Sequence, residues 1–327
     1  MGEQIVDAVA ELTRAAAEPS AKAGFLAALA DKGETIVEIA AFARALRDMS
    51  IAPPIDPATR ACPILDVCGT GGDRLNTFNI STTVALMMAS AGVSVAKHGN
   101  RAVTSQAGSA DVLEALGIKI DLTPAEAAAS LRDRHFAFFF APDYHPAFKE
   151  MAAARQLCGE RGQRTIFNFL GPLLNPARPT HQLLGVPQRE LCPAIARVLE
   201  TLGVQRGMVV CGSAGQGRCL DELSILGDNC AAGFPSTMES FSLAGLPLQP
   251  AVLADLTGGD RHANAAIIRR ILRGAERGPK RDAVLINCAA ALVVMEKCRG
   301  FAEGWGMAAE LIDSGRANAK LKELTNG

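Results

Sequence analysis

The feature that most constrains this chain is a regular alternation, from residue 64 onward, of short apolar runs with longer helix-like segments. The apolar runs have the length and composition of buried strands: ILDV (64–67), VSVA (93–96), FAFFFA (136–141), QLLGV (182–186) and GMVVCG (207–212). The segments between them with helical character include STTVALMMASAG (81–92), TPAEAAASLRDR (123–134) and QRELCPAIARVLETLG (188–203). Strands that alternate with helices predict an α/β fold with a mainly parallel central sheet.

The chain before this alternation shows mainly helical patterns, which predict a small helical domain. Thr35 and Glu38 form a capping-box pattern at the start of an apolar helix. The prolines of APPIDP (52–57) then forbid helix and mark a linker. We therefore predict a helical domain over residues 1–63 and a larger α/β domain over residues 64–327.

Composition restricts the classes of partner. The chain has 327 residues, 49% of them hydrophobic, and a formal net charge of −1, so no overall positive field attracts nucleic acid or an anionic membrane. The longest apolar stretches, within 82–96 and 283–295, are shorter than a membrane span. The N-terminal segment contains acids where an export signal needs a basic start. We expect small-molecule ligands, with neither a nucleic-acid nor a membrane partner.

The cysteines indicate a reducing compartment. There are nine, an odd number, and no two are spaced as CxxC. This pattern favours reduced, mostly buried thiols in a cytoplasmic protein, and it implies neither a zinc site nor a disulfide framework.

A glycine-rich turn follows the first strand-like run directly. In DVCGTGGD, the residues Gly69, Gly71 and Gly72 leave backbone amides free to approach an anion. The segment NIST (79–82) then begins an apolar helix, whose N-terminus favours negative charge. The turn is neither a P-loop nor GxGxxG. A phosphate site is one interpretation, and a plain tight turn with helix-capping hydroxyls is the other.

A second turn of the same kind follows the next strand-like run. It contains Lys97, His98, Asn100 and Arg101 and leads to another helix at Ser109. Because the carboxyl ends of parallel strands form one crevice, both turns are expected to open on the same pocket. Lysine and arginine there would complement a diphosphate, while solvated surface cations are the alternative.

Two adjacent carboxylates, Asp221 and Glu222, follow the run GMVVCG in RCLDELS. Carboxylates and phosphate are both negatively charged, so carboxylates that face a phosphate cannot bind it directly. A divalent cation between the two groups would allow them to lie close together. An acidic turn exposed to solvent is the alternative, and in either case the sequence suggests an exposed turn.

These segments together resemble the anthranilate phosphoribosyltransferases over nearly the whole chain. The resemblance rests on DVCGTGGD, TFNIST, KHGNR, GSADVLEALG, RTIFNFLGPLLNP, LDELS and GGD. It implies transfer of the phosphoribosyl group of phosphoribosyl diphosphate (PRPP) to the amine of anthranilate in tryptophan biosynthesis, with Mg²⁺ as cofactor. It also implies a nucleoside phosphorylase-like architecture, in which helices around residues 155–177 return to the helical domain, and dimerisation through that domain.

The resemblance implies a role for each matching residue of this chain. The PRPP site would comprise Gly69, Gly72, Asp73, Thr77, Asn79, Ile80, Ser81, Thr82, Lys97, His98, Gly99, Asn100, Arg101, Ala102, Val103, Thr104, Ser105 and Ser109. Mg²⁺ would be held by Ser81, Asp221 and Glu222. Anthranilate would be held by Gly69, Asn100 and Arg155, with His98 close by.

The chain departs from the family pattern in three places. Its N-terminus is shorter, which bears on the dimer face. Cys211 replaces a histidine, and residues 215–219 are an insertion immediately before the acidic pair. Thr104 replaces a more usual serine but keeps the hydroxyl. The insertion bears on the position of the metal-binding carboxylates.

The implied chemistry needs no strong general base, because an aromatic amine is already neutral at pH 7. Two other functions stay open at this point. Pyrimidine nucleoside phosphorylases resemble this architecture and also act at C1 of ribose. Nucleic-acid binding would draw on the basic run IIRRILRGAERGPKR (267–281).

Overall fold

The computed structural model of this chain describes residues 2–102, 106–235 and 243–326. The strands are β1 Ile64–Gly69, β2 Ser94–Gly99, β3 Phe136–Phe140, β4 His181–Gly185, β5 Arg206–Gly215, β6 Arg218–Leu220 and β7 Asn229–Phe234. The α-helices are α1 Gly2–Thr13, α2 Pro19–Lys32, α3 Ile36–Asp48, α4 Pro57–Arg60, α5 Ile80–Ser90, α6 Ser109–Leu116, α7 Pro124–Arg134, α8 Ala141–Tyr144, α9 Ala152–Glu160, α10 Phe167–Leu170, α11 Leu191–Thr201, α12 Arg261–Leu272, α13 Pro279–Val294, α14 Phe301–Asp313 and α15 Arg316–Thr325. Short 3₁₀ segments lie at Pro146–Met151, Gly171–Leu173 and Leu253–Leu256.

The sheet has a parallel centre in the order β3–β2–β1–β4–β5, which confirms the predicted mainly parallel sheet. Strands β6 and β7 both pair antiparallel with β5. Gly212 of β5 is opposite Leu220 of β6 on one edge and Asn229 of β7 on the other. Since β7 and β4 overlap along β5, they occupy opposite edges. Strand β6 therefore lies on the β4 edge of β5, beyond the carboxyl end of β4.

Helices cover both faces of this sheet. Leu65 and Val67 of β1 point into one hydrophobic cluster, which contains the buried faces of α5 and of the C-terminal helices. Cys68 and Leu184 point into a second cluster with α11 and the N-terminal helices. Burial on both faces explains why the strands appear in the sequence as nearly continuous apolar runs.

The N-terminal helices begin as the sequence predicts and then pack against a later segment. Thr35 and Glu38 form the predicted capping box: the Glu38 amide donates to Thr35 Oγ1 at 3.2 Å, and the Thr35 amide donates to Glu38 Oε2 at 3.0 Å. Helix α9 packs on α2, and α10 contacts α3. The buried ammonium of Lys22 joins these parts by donating to the carbonyls of Arg14 and Glu150, both at 2.8 Å. Because the second cluster is continuous from these helices to the sheet, a domain boundary at residue 63 stays a prediction.

Among the described residues, no helix is both long and apolar enough to cross a membrane.

Candidate active site

The turn after β1 is packed closely against the acidic pair. Gly71 and Gly72 have φ values of +71° and +86°, which side chains rarely adopt. The Gly71 amide donates to Asp221 Oδ2 at 2.7 Å. A Cβ atom on Gly69 would lie 2.1 Å from the same oxygen. The glycines therefore let the main chain of the turn approach the Asp221 carboxylate. A residue with a side chain at position 69 would displace that carboxylate.

The β5–β6 hairpin brings the acidic pair to this position. After β6, the chain passes so close to the ends of β4 and β5 that only glycine fits there. A Cβ on Gly185 would lie 1.5 Å from the Asp221 carbonyl oxygen, and one on Gly212 would lie 2.5 Å from that of Glu222. The expectation of an exposed acidic turn is therefore wrong. Both carboxylates are half-buried, because β6 returns the chain across the carboxyl ends of the parallel strands.

The residues predicted to hold Mg²⁺ come together in the structure. Helix α5 starts at Ile80, and the amide of Ser81 in its first turn donates to Glu222 Oε1 at 3.2 Å. The other oxygen of Glu222 is buried and has no hydrogen-bond partner in the described part of the chain. Ser81, Asp221 and Glu222 thus lie around one point, with an unpaired carboxylate oxygen among them.

The electrostatics of this point favour a cation. Burial raises the pKa of Asp221 to about 7, and repulsion from Asp73 adds to the effect. Burial and repulsion from Asp221 raise the pKa of Glu222 well above its ordinary value, and burial also raises the pKa of Asp73. No three acidic, histidine or cysteine side chains surround a common metal position in the described residues. Mg²⁺ usually takes only one or two carboxylates together with substrate phosphate oxygens, so the donor set fits it.

Lys97 lies beneath the turn rather than on its surface. Its side chain is 2% exposed, and Nζ donates to the carbonyl of Val67 at 2.6 Å. Burial lowers its pKa, while the nearby carboxylates of Asp66 and Glu222 oppose that shift. Asp66 is itself buried and accepts a hydrogen bond from Asn175 Nδ2 at 2.9 Å. From this buried position, Lys97 interacts electrostatically with Glu222.

In the second turn, which follows β2, the main chain also lies very close to neighbouring atoms. A Cβ on Gly99 would lie 2.2 Å from Ser109 Oγ, and Ser109 Oγ is 3.5 Å from the Asn100 carbonyl to which it donates. The Ala102 amide donates to Asp111 Oδ2 at 2.9 Å. The turn is thus closed by the first residues of α6, with Asn100 at its outer end.

Arg101 makes its contacts within the protein. Its guanidinium is exposed, pairs with Asp111 at 3.0 Å and Glu114 at 3.1 Å, and lies 5.7 Å from the centre of the Phe140 ring. A phosphate would have to compete with these carboxylates. The predicted site residues Val103, Thr104 and Ser105 lie outside the described residues.

The start of α5 offers backbone groups rather than side chains. Ile80 and Thr82 are 0% and 1% exposed, so their side chains cannot reach a ligand. The Ile80 amide donates to the Phe78 carbonyl at 2.7 Å, and the Ser81 amide donates to Glu222. Within the described residues, the Thr82 amide is therefore the one that stays available to a ligand in this turn. Asn79 Oδ1 accepts a hydrogen bond from Asn264 Nδ2 at 2.9 Å. Thr77 pairs in an isolated β-bridge.

A continuous row of rings connects Arg155 to the second turn. The Arg155 guanidinium is 5.0 Å from the centre of the Phe167 ring, and the rings of Phe167 and Phe148 are 5.9 Å apart. Phe148 stacks on His145 at 5.1 Å, and His145 meets His98 edge-on at 5.2 Å. This row connects one predicted anthranilate contact, Arg155, with the segment that contains a second, Asn100; the third, Gly69, lies in the first glycine turn.

Both imidazoles in this row are neutral. Burial lowers the pKa of His98 to about 3 and that of His145 to about 4. His98 Nδ1 lies 3.2 Å from the Gly171 carbonyl, and the Nε2 atoms of both rings have no partner in the described residues.

Comparisons with known proteins agree on one family. Residues 61–318 match the model of the glycosyl transferase family a/b domain, and residues 2–50 match that family's helical bundle domain. The anthranilate phosphoribosyltransferase of Roseiflexus castenholzii is 45% identical over 326 residues, which is 98% of this chain and 92% of that protein. The chain belongs to the anthranilate phosphoribosyltransferase family.

Solved structures of anthranilate phosphoribosyltransferases share the fold. The enzyme from Thermus thermophilus superposes with a TM-score of 0.90 at 39% identity and covers 100% of this chain and 95% of its own. The Saccharomyces cerevisiae enzyme, solved in complex with PRPP and Mg, gives a TM-score of 0.83 at 26% identity over 99% of this chain and 91% of that chain. It has also been solved with 4-fluoroanthranilate.

Residues 215–219, which the sequence predicts to be an insertion relative to other anthranilate phosphoribosyltransferases, lie at the tip of the β5–β6 hairpin. Gly215, Gln216 and Gly217 all have positive φ and form the tight turn. The hairpin extends beyond the carboxyl ends of the parallel strands, and β6 then brings the chain back, so the acidic pair still reaches the end of β4.

Sequence reasoning missed several residues that shape the site. Phe148 and Phe167 form the row of rings, and Gly185 and Gly212 admit the acidic pair. The signal for the glycines was present, because Gly185 is the next-to-last residue of the strand-like run QLLGV and Gly212 is the last residue of GMVVCG. The aromatic residues gave no periodic signal.

Proposed function

We propose that this protein transfers the phosphoribosyl group from PRPP to the amine of anthranilate and releases pyrophosphate, as a step of tryptophan biosynthesis. The observation that supports it most is the convergence of Asp221 and Glu222 on the first glycine turn and on the N-terminus of α5. Two carboxylates, a glycine turn, a helix N-terminus and a buried lysine around one crevice suit a polyphosphate and a divalent cation.

In this proposal the PRPP diphosphate lies between the two turns. The amides of Gly72 and Thr82 bind its oxygens, and Ser109 and Asn100 hold the sugar side. Mg²⁺, bound by Ser81, Asp221 and Glu222, would neutralise charge on the leaving pyrophosphate. Lys97 holds Glu222 in place by its buried charge.

Anthranilate would lie along the row of rings with its carboxylate toward Arg155. A guanidinium stacked on Phe167 is held in one plane and can meet a carboxylate with two parallel hydrogen bonds. The neutral imidazoles of His98 and His145 provide a polar but uncharged wall, which suits an aromatic amine. We assign no general base, because the amine attacks in its neutral form.

We also propose a homodimer built through the N-terminal helical domain of residues 1–63. Large apolar side chains on these helices are exposed, among them Val6 at 56%, Phe25 at 41% and Val37 at 61%. An apolar surface of this kind on a biosynthetic enzyme is expected to be covered by a second copy.

We propose a cytoplasmic location for the protein. Each of the nine cysteines lies in the described residues and is a free thiol, as a reducing compartment would maintain it.

Nucleic-acid binding is the weaker alternative. Part of the basic run is paired within the fold, since Arg277 and Arg281 both pair with Asp313, at 3.1 Å and 2.7 Å, and Arg270 pairs with Glu276 at 3.5 Å. A gel shift at physiological salt with duplex and single-stranded DNA should show no retarded band.

The transferase assay is direct. Anthranilate is fluorescent, and its signal should fall when the protein, PRPP and Mg²⁺ are combined and stay constant when any one of them is omitted. Thymidine with inorganic phosphate, the substrate pair of a pyrimidine phosphorylase, should give no free base. Constant anthranilate fluorescence with folded protein, or release of thymine, would refute the proposed reaction.

A further inference from the structure

Four of the cysteines converge on one part of the fold outside the active site. Cys211 lies on β5, Cys219 on β6, Cys230 on β7 and Cys192 in the first turn of α11. Cys211 is directly opposite Cys230, and Ser213, two residues along β5, is opposite Cys219. Side chains two apart on a strand share a face, so the thiols of β5, β6 and β7 point to the same side of the sheet. Helix α11 packs on β5 and β7 there.

The cluster consists of two thiol pairs. The Cys230 thiol donates to the Arg189 carbonyl at 3.8 Å, and the Cys192 amide donates to the same carbonyl at 3.1 Å, so Cys230 lies against the first turn of α11 beside Cys192. Cys211 and Cys219 lie at neighbouring positions of the paired strands β5 and β6. The strongest electrostatic interactions among these thiols join the same two pairs. Each pair joins a buried member, Cys192 or Cys211, to a half-buried one, Cys230 or Cys219. All four sit in or against the second hydrophobic cluster.

The arrangement in pairs favours a disulfide over a metal. A zinc site needs four convergent ligands, and no group of three or more ligating side chains is found in the described residues. A disulfide needs only two adjacent thiols with a short separation of the Cα atoms.

We propose that Cys192 and Cys230 form a modification site, at which a dissolved peroxide oxidises the pair to a disulfide. The half-buried Cys230 is the member that peroxide reaches first. Its sulfur attacks one peroxide oxygen, the O–O bond breaks, and one water leaves as Cys230 becomes a sulfenic acid. The sulfur of Cys192 then displaces the hydroxyl from that sulfenic acid, which takes the thiol proton and leaves as a second water. Two thiols lose two electrons, and the peroxide accepts them.

The burial of Cys192 determines the speed of the second step. Burial raises the pKa of this thiol, and contact with Cys230 adds to that shift. Since the thiolate is the attacking form, the disulfide should form slowly at neutral pH and faster as the pH is raised.

The disulfide would also restrain the position of the acidic pair, Asp221 and Glu222. This effect rests on the proposed role of the pair in binding Mg²⁺. Cys230 follows Asn229, whose side chain receives a hydrogen bond from the Ser224 amide at 2.7 Å and donates one to the Ser224 carbonyl at 2.9 Å. Ser224 is two residues after Glu222. A covalent bond from Cys230 to α11 therefore restrains the segment that positions Glu222, and we expect it to raise the Mg²⁺ concentration for half-maximal activity by roughly threefold or more.

The site is tested by mapping disulfides after treatment with hydrogen peroxide, which needs no activity. Cleavage after Arg218 and Glu222 separates the peptide of Cys230 from that of Cys219. The expected product links the peptides of Cys192 and Cys230, has lost two hydrogens, and disappears on reduction. Cys192→Ser and Cys230→Ser should each abolish the link, whereas Cys62→Ser, at an exposed thiol elsewhere, should leave it unchanged.

Wild-type protein whose Cys192 and Cys230 stay unlinked under peroxide would overturn the site, and that result does not depend on folding of a variant. A link that forms without changing the Mg²⁺ dependence would overturn the coupling to the acidic pair. Inactivity of the reduced protein would instead count against the proposed reaction, so the failures are distinguishable.

Discussion

Asp221 and Arg155 show two ways in which this molecule holds a charged side chain. Asp221 is confined by main chain, with an amide of the glycine turn bonded to its carboxylate and Gly185 against its carbonyl. Within the described residues, the contact that holds the Arg155 guanidinium is the face of Phe167. A confined carboxylate suits an ion of fixed position, whereas a stacked guanidinium keeps its donors free for a planar ligand.

Arg155→Ala should weaken the use of anthranilate without affecting PRPP. A charge-assisted hydrogen bond contributes roughly 1.5–3 kcal/mol, so kcat/KM for anthranilate should fall by roughly ten- to a hundredfold. Steady-state kinetics with each substrate varied, and calorimetric titration of PRPP, measure the two halves of this prediction.

Arg164 offers a matched control, because its guanidinium also stacks on a ring, 5.8 Å from the centre of Phe169. Arg164→Ala should leave both substrates unaffected. If Arg155→Ala kept its KM for anthranilate or lost affinity for PRPP, Arg155 would be a structural residue.

His145 should make the protein less stable in acid. Its pKa is about 4 in the folded state, and the ordinary value near 6.5 applies on unfolding. Between these values the unfolded chain binds the extra proton, so the free energy of unfolding falls as the pH drops, by at most about 1.4 kcal/mol per pH unit. His145→Phe keeps the stacking on Phe148 and should flatten this dependence.

Urea unfolding at about pH 7.5 and about pH 5 compares the two proteins across that window. The exposed His262→Gln is the control and should behave as wild type. Equal losses of stability in wild type and His145→Phe would show that the buried imidazole is not the source.

At the scale of elements, the sequence predicts the parallel strands of the sheet but not the short antiparallel strands β6 and β7. The strands of the parallel centre were predictable, because each has an apolar run long enough to be buried on both faces. Strands β6 (RCL) and β7 (NCAAGF) are short and contain small or polar residues, so their extended form depends on pairing with β5. The acidic pair was identifiable from sequence, but its burial depends on close approach to Gly185 of β4 and Gly212 of β5.

Gly185→Ala should impair the proposed Mg²⁺ site by displacing the main chain of Asp221. The added methyl would lie 1.5 Å from the Asp221 carbonyl oxygen, so the acidic segment must move. We expect kcat to fall by about tenfold or more, with a higher requirement for Mg²⁺, since small misplacement of a catalytic group is costly. Gly306→Ala, at a helical glycine with open space around it, is the control and should be neutral.

Kinetics as a function of Mg²⁺ concentration, with circular dichroism to verify folding, tests this prediction. An active Gly185→Ala protein with the wild-type Mg²⁺ requirement would mean that the acidic segment need not lie against β4.

At the scale of the whole molecule, the hydrophobic core joins parts of the chain that the sequence separates. The second cluster runs from the N-terminal helices through α9 to the sheet face, so the row of rings is positioned by both parts. Sequence periodicity predicts each part, but a core shared between distant segments has no local signal. The shape of the acceptor site is therefore visible only in the structure.

The proposed dimer makes a prediction at this scale. Light scattering at micromolar concentration should give about twice the chain mass of 34.2 kDa. Phe25→Glu with Val37→Glu places charges on the exposed face of the helical domain and should shift the protein toward the monomer. Val252→Glu, at a side chain 63% exposed outside that domain, should not. A wild-type mass near 34.2 kDa would refute the dimer.

The central claim is that the hairpin places Asp221 and Glu222 where a metal assists departure of pyrophosphate. The most direct measurement is kcat of Asp221→Asn with Glu222→Gln as a function of Mg²⁺, alongside its unfolding midpoint without Mg²⁺. We predict that kcat falls by about a hundredfold or more, since loss of metal assistance costs several kcal/mol. The midpoint should not fall, because neutral amides remove the repulsion between buried carboxylates. A folded double variant with wild-type turnover and Mg²⁺ dependence would contradict the account.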